Sequence, residues 1–376
     1  MGAFTYYIST LVVYFGIDLL SAWSLNLQYG YAGVINFSFI IFQAIGAYIA
    51  STVVLGPDTG INAYQTYLFG ANLPWPVPLI LAALAGAALS AVIGVFALRR
   101  IRRDYQAAVM LIVSLIALQV VSADVHLFNG SNGLTGIPKP LEGALNVSLA
   151  SYQWIYAAFV LAICAVVYVI VQKLCRSSWG RSLRAIRDQE DAAISIGLNP
   201  TLLRLEVFIL GGAIAGLSGG LLVEFIGAWS PGAWGYAETF VIFTAVLVGG
   251  VGNNRGVILG IFLVPILFLE LPRFLPAFGY PGLIDAIEWM VIGALWMLGL
   301  LVRPRGLIPE RRFVAVRGGS GAIAFDGAAP GFFGRLLMVG RGDGVPMRRR
   351  AATVAQPAPP ADKATAGSAS ERTELS

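Results

Sequence analysis

Residues 153–174 read QWIYAAFVLAICAVVYVIVQKL, and this stretch decides which solvent the chain folds in. From Trp154 to Val171 it carries no charge. As a helix rising 1.5 Å per residue it extends about 33 Å, enough to cross the roughly 30 Å hydrocarbon core of a bilayer. A helix suits that medium because it satisfies its own backbone polar groups.

Comparable runs lie at 5–28, 33–55, 77–98, 105–125, 205–227, 237–251, 257–271 and 284–302. The expected fold is therefore all-α: a polytopic membrane helix bundle of about nine transmembrane helices, with eight or ten as the neighbouring counts. Composition agrees. Of 376 residues 57% are hydrophobic and 12% charged, about half the charged share usual for a soluble domain. Period-2 alternation in segments of about ten residues, the mark of a membrane β-barrel, is absent. The apolar N-terminal run lacks a cationic leader and a small-residue cleavage site, so it reads as a first span rather than a signal peptide. The seventh and eighth runs are short, and Gly249–Gly256 between them predicts a tight turn or a broken helix pair.

Basic residues set the expected orientation, because they collect on the cytoplasmic side. Every second connection carries them: Arg99, Arg100, Arg102 and Arg103; then Lys173, Arg176, Arg181, Arg184, Arg187 and Arg204; then Arg255; then the segment from Arg303 onward. The intervening loops at 56–76, 126–152 and 272–283 hold only Lys139 and Arg273. This alternation predicts a multi-pass inner-membrane protein with a periplasmic N-terminus and a cytoplasmic C-terminus. Residues 1–312 form the expected transmembrane domain. Residues 313–376, rich in Gly, Ala, Pro, Ser and Arg, bury too little apolar surface to order themselves and read as a disordered basic cytoplasmic tail that could touch anionic lipid.

Within the basic loops, residues 180–204 read GRSLRAIRDQEDAAISIGLNPTLLR. Leu183, Ile186, Ala193, Ile194 and Ile196 recur at near-helical spacing among charges, and Gly197 and Pro200 supply a helix stop. One or two short amphipathic helices follow, suited either to the membrane surface or to a docking partner.

Asp191-Ala192-Ala193 with Gly197 resembles the Glu-Ala-Ala-x-x-x-Gly loop of ABC-importer permeases, with Asp191 in place of the Glu. The resemblance extends through Leu25–Gly33, Ala44–Tyr48, Gly130–Pro138, Gly180–Arg187, Val248–Gly252 and Arg303–Leu307 to the LivM-type permeases of branched-chain amino acid importers, over roughly residues 20–310. It implies a coupling loop at 180–204 that uses Arg184, Arg187, Asp191, Ala192, Ala193 and Gly197. It also implies a LivH-type permease subunit, two ATPase subunits and a periplasmic solute-binding protein as partners, and no nucleic acid. The chain's three lysines follow no Gly-rich phosphate loop. No cofactor is expected on this chain, which is not expected to be an enzyme; ATP is used by the partner subunits.

Polar residues in the first two runs, Asn26, Gln28, Asn36, Ser38 and Gln43, flank Gly30 and Gly33. They are candidates for a translocation path, against the plainer role of hydrogen bonding between helices. Urea or short amides fit the same importer type. A proton-coupled secondary transporter would instead need acids at mid-membrane depth, for which Asp18 and Glu270 are the deepest candidates. Cys164 and Cys175 lack redox or metal spacing, and His126 lacks a metal partner.

Overall fold

A computed structural model describes residues 3–57, 64–100, 103–140, 148–270, 283–302 and 306–310. The segment expected as a tail, 313–376, lies outside them, as does most of the loop expected at 272–283. The helices are α1 Ala3–Leu25, prolonged by a π turn Asn26–Tyr31; α2 Phe39–Val54; α3 Val77–Arg100; α4 Arg103–Ala123; α5 Val125–Phe128; and α6 Leu149–Arg176. They continue as α7 Ser178–Asp188; α8 Glu190–Ser195; α9 Pro200–Ile226; α10 Tyr236–Gly249; α11 Asn254–Ile261, prolonged by a π turn Phe262–Glu270; and α12 Leu283–Val302.

Among the described residues six helices are long and apolar enough to cross a membrane: Thr5–Tyr31, Val77–Leu98, Tyr105–Ala123, Ser151–Arg176, Pro200–Ile226 and Pro231–Gly249. Phe39–Val54 and Asn254–Leu267 are shorter apolar helices, and α12 coincides with the ninth expected run. The second run begins later than expected. Gly33 takes φ 69°, and the Asn36 carboxamide accepts the Ser38 backbone N–H at 3.0 Å, so residues 33–38 turn before α2 starts. Between α10 and α11 the chain makes the expected tight turn. Gly250 and Gly252 hold φ 131° and 77°, and Asn253 caps α11 by accepting the Arg255 N–H at 3.1 Å.

Helix α9 is the hub, because its small residues let neighbouring backbones come close. A Cβ added at Gly46 of α2 would collide with the Gly216 carbonyl, and one at Gly216 with the Ala82 carbonyl of α3. Such contact gives dense dispersion attraction where lipid supplies no hydrophobic drive between helices. Hydrogen bonds join α1 to the same helix: Ser24 Oγ donates to the Gly211 carbonyl at 2.6 Å, and the Ser21 and Ser218 hydroxyls pair at 2.9 Å. Phe42 and Phe208 meet edge to face at 5.3 Å.

The two ends of the bundle differ. At one end β1 (Leu134–Thr135) pairs antiparallel with β2 (Ala228–Trp229). Gln65 clamps Thr135 there through bonds of 2.8 and 3.1 Å, and Tyr48 stacks on Phe128 at 4.4 Å. At the other end Tyr31, Arg176, Arg184, Arg255 and Glu310 surround a cavity of about 810 Å³.

Candidate functional site

The basic end is built around α7 and α8. Ser177 caps α7 by accepting the Trp179 N–H, and Trp179, Leu183 and Ile186 bury the inner face. Trp179 Nε1 donates to Glu206 of α9 at 2.8 Å. Arg204 grips Glu190 with two bonds of 2.9 Å, so the helix pair is moored to α9 at both its start and its middle. The planar guanidinium matches the carboxylate fork, which fixes direction as well as distance.

Helix α8 carries Glu190 and Asp191 in its first turn, where acids suit the helix dipole. It ends in a glycine cap. Gly197 adopts φ 85° and donates to the Ile194 carbonyl at 2.9 Å, while Leu198 donates to that of Ala193 at 3.1 Å. Asn199 then caps α9, and Pro200 occupies its first turn, so the expected stop is also the next start. Ala193 is buried, whereas Asp191, Ala192 and Gly197 are exposed. Ile194 and Ile196 leave 52% and 55% of their surface free, and a Cβ at Gly197 would meet nothing within 4 Å.

Arg184 and Arg187 point the other way, into the bundle. Arg187 pairs with Asp188 and with Glu310, each at 2.8 Å, and its Nη1 donates to the Gly30 carbonyl at the end of α1. Burial lowers the pKa of this guanidinium, but bonding to Asp188 and Glu310 outweighs it and the net shift is upward. Arg184 approaches Glu310 at 3.5 Å and lies over the Tyr31 ring.

The polar residues of the first two runs form a packed cluster. Asn26 Nδ2 donates to Asn254 Oδ1 at 2.8 Å, and Asn26 Oδ1 accepts the Gly252 N–H at 2.9 Å, tying α1 to the α10–α11 turn. Asn36 Nδ2 donates to Gln28 Oε1 at 2.7 Å, and Ser38 Oγ donates to Asn36 Oδ1 at 2.7 Å. Gln28 Nε2 has no partner among the described residues; it presses against Gly211. Gly30 abuts Asn26 and Gly252, and Gly33 abuts Arg187. Gln43 is buried, and the Gln43 carbonyl faces Gly219.

None of these seven residues lines the cavity at the basic end or a second, apolar one of about 320 Å³ between α2, α3 and α4. Sequence reasoning missed Asn254 and Glu310. The signal for Glu310 was available, since it is the lone acid between Arg303, Arg305, Arg311 and Arg312. Glu206 holds Trp179, while Glu224 is buried with neither oxygen hydrogen-bonded among the described residues. No cluster of His, Cys, Asp and Glu able to hold a metal occurs among the described residues.

A bundle with several helices long and apolar enough to cross a membrane is the architecture of a polytopic membrane protein. The chain belongs to the permease component family of the branched-chain amino acid transport system, whose sequence profile matches residues 7–300. It is 27% identical over 331 residues to the "Probable branched-chain amino acid transport permease protein LivM" of Methanocaldococcus jannaschii, covering 82% of this chain and 94% of that protein. To the high-affinity branched-chain amino acid permease LivM of Salmonella typhimurium it is 29% identical over 317 residues, covering 79% of this chain and 68% of that one. A LivH permease of Escherichia coli K12 is 25% identical over 318 residues, covering 78% of this chain and 93% of its own length. No solved structure matches.

Proposed function

We propose that this chain is one permease subunit of a binding-protein-dependent ABC importer that moves branched-chain or related small amino acids into the cytoplasm. The supporting observation is the division of faces on α7 and α8. One face is moored to α9 through Trp179–Glu206 and Arg204–Glu190. The other presents Asp191, Ala192, Ile194, Ile196 and Gly197 to solvent. An ATPase subunit docking on that face pulls on α9 through the moorings, and alternating access follows as the helices around α9 rock. Similarity to both LivM and LivH permeases supports a LivH-type partner, two ATPases and a periplasmic binding protein.

The gathering of Arg176, Arg184 and Arg255 at one end, away from the loop joined by Gln65 and Thr135, supports nine spans with the N-terminus outside and the C-terminus inside. In this orientation α7 and α8 are cytoplasmic.

The test is uptake of radiolabelled leucine into vesicles holding the full complex, with and without the ATPase subunits. Uptake is expected to need the ATPases and ATP. Uptake that persists without them and collapses with the proton gradient contradicts the reading. In the same system Gly197→Arg is expected to abolish ATPase association while the chain still inserts, because the new side chain projects from the docking face. Normal association would remove α8 as the docking element.

A further inference from the structure

Beyond α12 the chain returns to the bundle as a strap, Gly306–Glu310. Helix α10 ends with carbonyls that have no partner within the helix, and the strap supplies donors to two of them: Leu307 N to Val248 at 2.8 Å and Ile308 N to Gly249 at 3.0 Å. Asn253 Nδ2 donates in turn to the Ile308 and Pro309 carbonyls at 3.1 and 3.3 Å. Gly306, at φ 70°, rests on the Gly250 backbone with no space for a Cβ. The strap is thus fixed to the C-terminal end of α10 and to the start of α11.

Two residues beyond the last of these backbone bonds, Glu310 reaches across to α7. Its carboxylate meets Arg187 Nη2 at 2.8 Å and Arg184 Nη1 at 3.5 Å. The pair threads between two tight turns: a Cβ at Gly252 would fall 2.8 Å from Glu310 Oε2, and one at Gly33 3.0 Å from Arg187 Cγ. About a fifth of the Glu310 side chain is exposed (20%), a setting in which an ion pair adds little to stability. Its position carries more consequence than its strength, since it joins α7 to a membrane-spanning helix that α7 does not otherwise grip through a charged pair among the described residues.

We infer that Glu310 is a positioning residue for transport: it clamps Arg184 and Arg187 to the α10–α11 turn, so that displacement of α7 is delivered to α10. The inference rests on α7 and α8 being the element on which the ATPase acts. Breaking the clamp leaves docking and hydrolysis intact, because the outward face of α8 is untouched, but lets α7 move without α10.

The experiment compares Glu310→Gln, Glu310→Asp and the native chain in the full reconstituted complex. It measures ATPase association, ATP hydrolysis and leucine moved per ATP hydrolysed. Glu310→Gln keeps the size of the side chain and removes its charge; it is expected to assemble normally, hydrolyse ATP and move about fivefold less leucine per ATP or worse, the lower bound of usual coupling energies. Glu310→Asp, which keeps the charge, is expected to recover most of the ratio. An unchanged ratio in Glu310→Gln overturns the inference, and so does loss of assembly with an unchanged ratio in the complex that remains, which makes Glu310 a structural brace. Absence of ATPase association in the native chain counts instead against the proposed function.

Discussion

The α9 hub and the Arg187 node hold helices together by different means. In the hub, backbone meets backbone: Gly46, Gly86 and Gly216 touch with no space for a side chain. At the node, two guanidinium groups and a carboxylate span a gap between turns, with about a fifth of each long side chain reaching solvent. Close packing tolerates almost no change of shape and ignores salt, whereas a partly solvated ion pair can lengthen, re-form and be screened. The bundle centre is therefore a rigid block, and its basic end is an adjustable link.

The sharpest way to break this comparison is Gly216→Leu, which drives a branched side chain into the backbones of α2 and α3. A loss of about 3 kcal/mol or more is expected, read as a lowered unfolding midpoint in detergent; an unshifted midpoint would show that the hub is not close-packed. Asn26→Ala tests the polar side of the same region. It strips the Gly252 N–H and the Asn254 carboxamide of their shared partner, for an expected cost of about 1–3 kcal/mol. The smallest effect on stability belongs to Ile194→Ser on the outward face of α8, within about 0.5 kcal/mol. The same change is expected to weaken ATPase association in a pull-down, and equal capture of the ATPase would take Ile194 out of the docking face.

Much of this was legible along the chain, because long apolar runs and the spacing of arginines are local properties. Each expected run contains a helix among its described residues, although the second begins only at Phe39. Leu183, Ile186 and Gly197 marked two amphipathic helices and their stop, although the sequence could not say that Ile194 and Ile196 would stay exposed while Leu183 and Ile186 became buried. The helical period relates Leu183 to Ile186 within α7, but it does not say how α8 will sit against α9, and that packing leaves Ile194 and Ile196 outside.

The polar residues were harder to read. Asn26, Gln28, Asn36 and Ser38 stand out in apolar runs whether they line a path or bind a neighbouring helix, since hydrocarbon penalises an unpaired polar group in either case. Gln28, Asn36 and Ser38 bond one another, but the partners of Asn26, Asn254 and Gly252, lie more than 220 positions away, a separation that no local pattern encodes.

By itself, then, the sequence determined the solvent, the helices and the alternation of basic loops, because each depends on the nearest few turns of chain. Tertiary structure alone decided that Arg184 and Arg187 turn inward to Glu310 while Asp191 and Gly197 face outward. That choice depends on which distant backbone ends, at Gly30 and at Gly250 to Gly252, arrive beside α7 with space for a guanidinium between them.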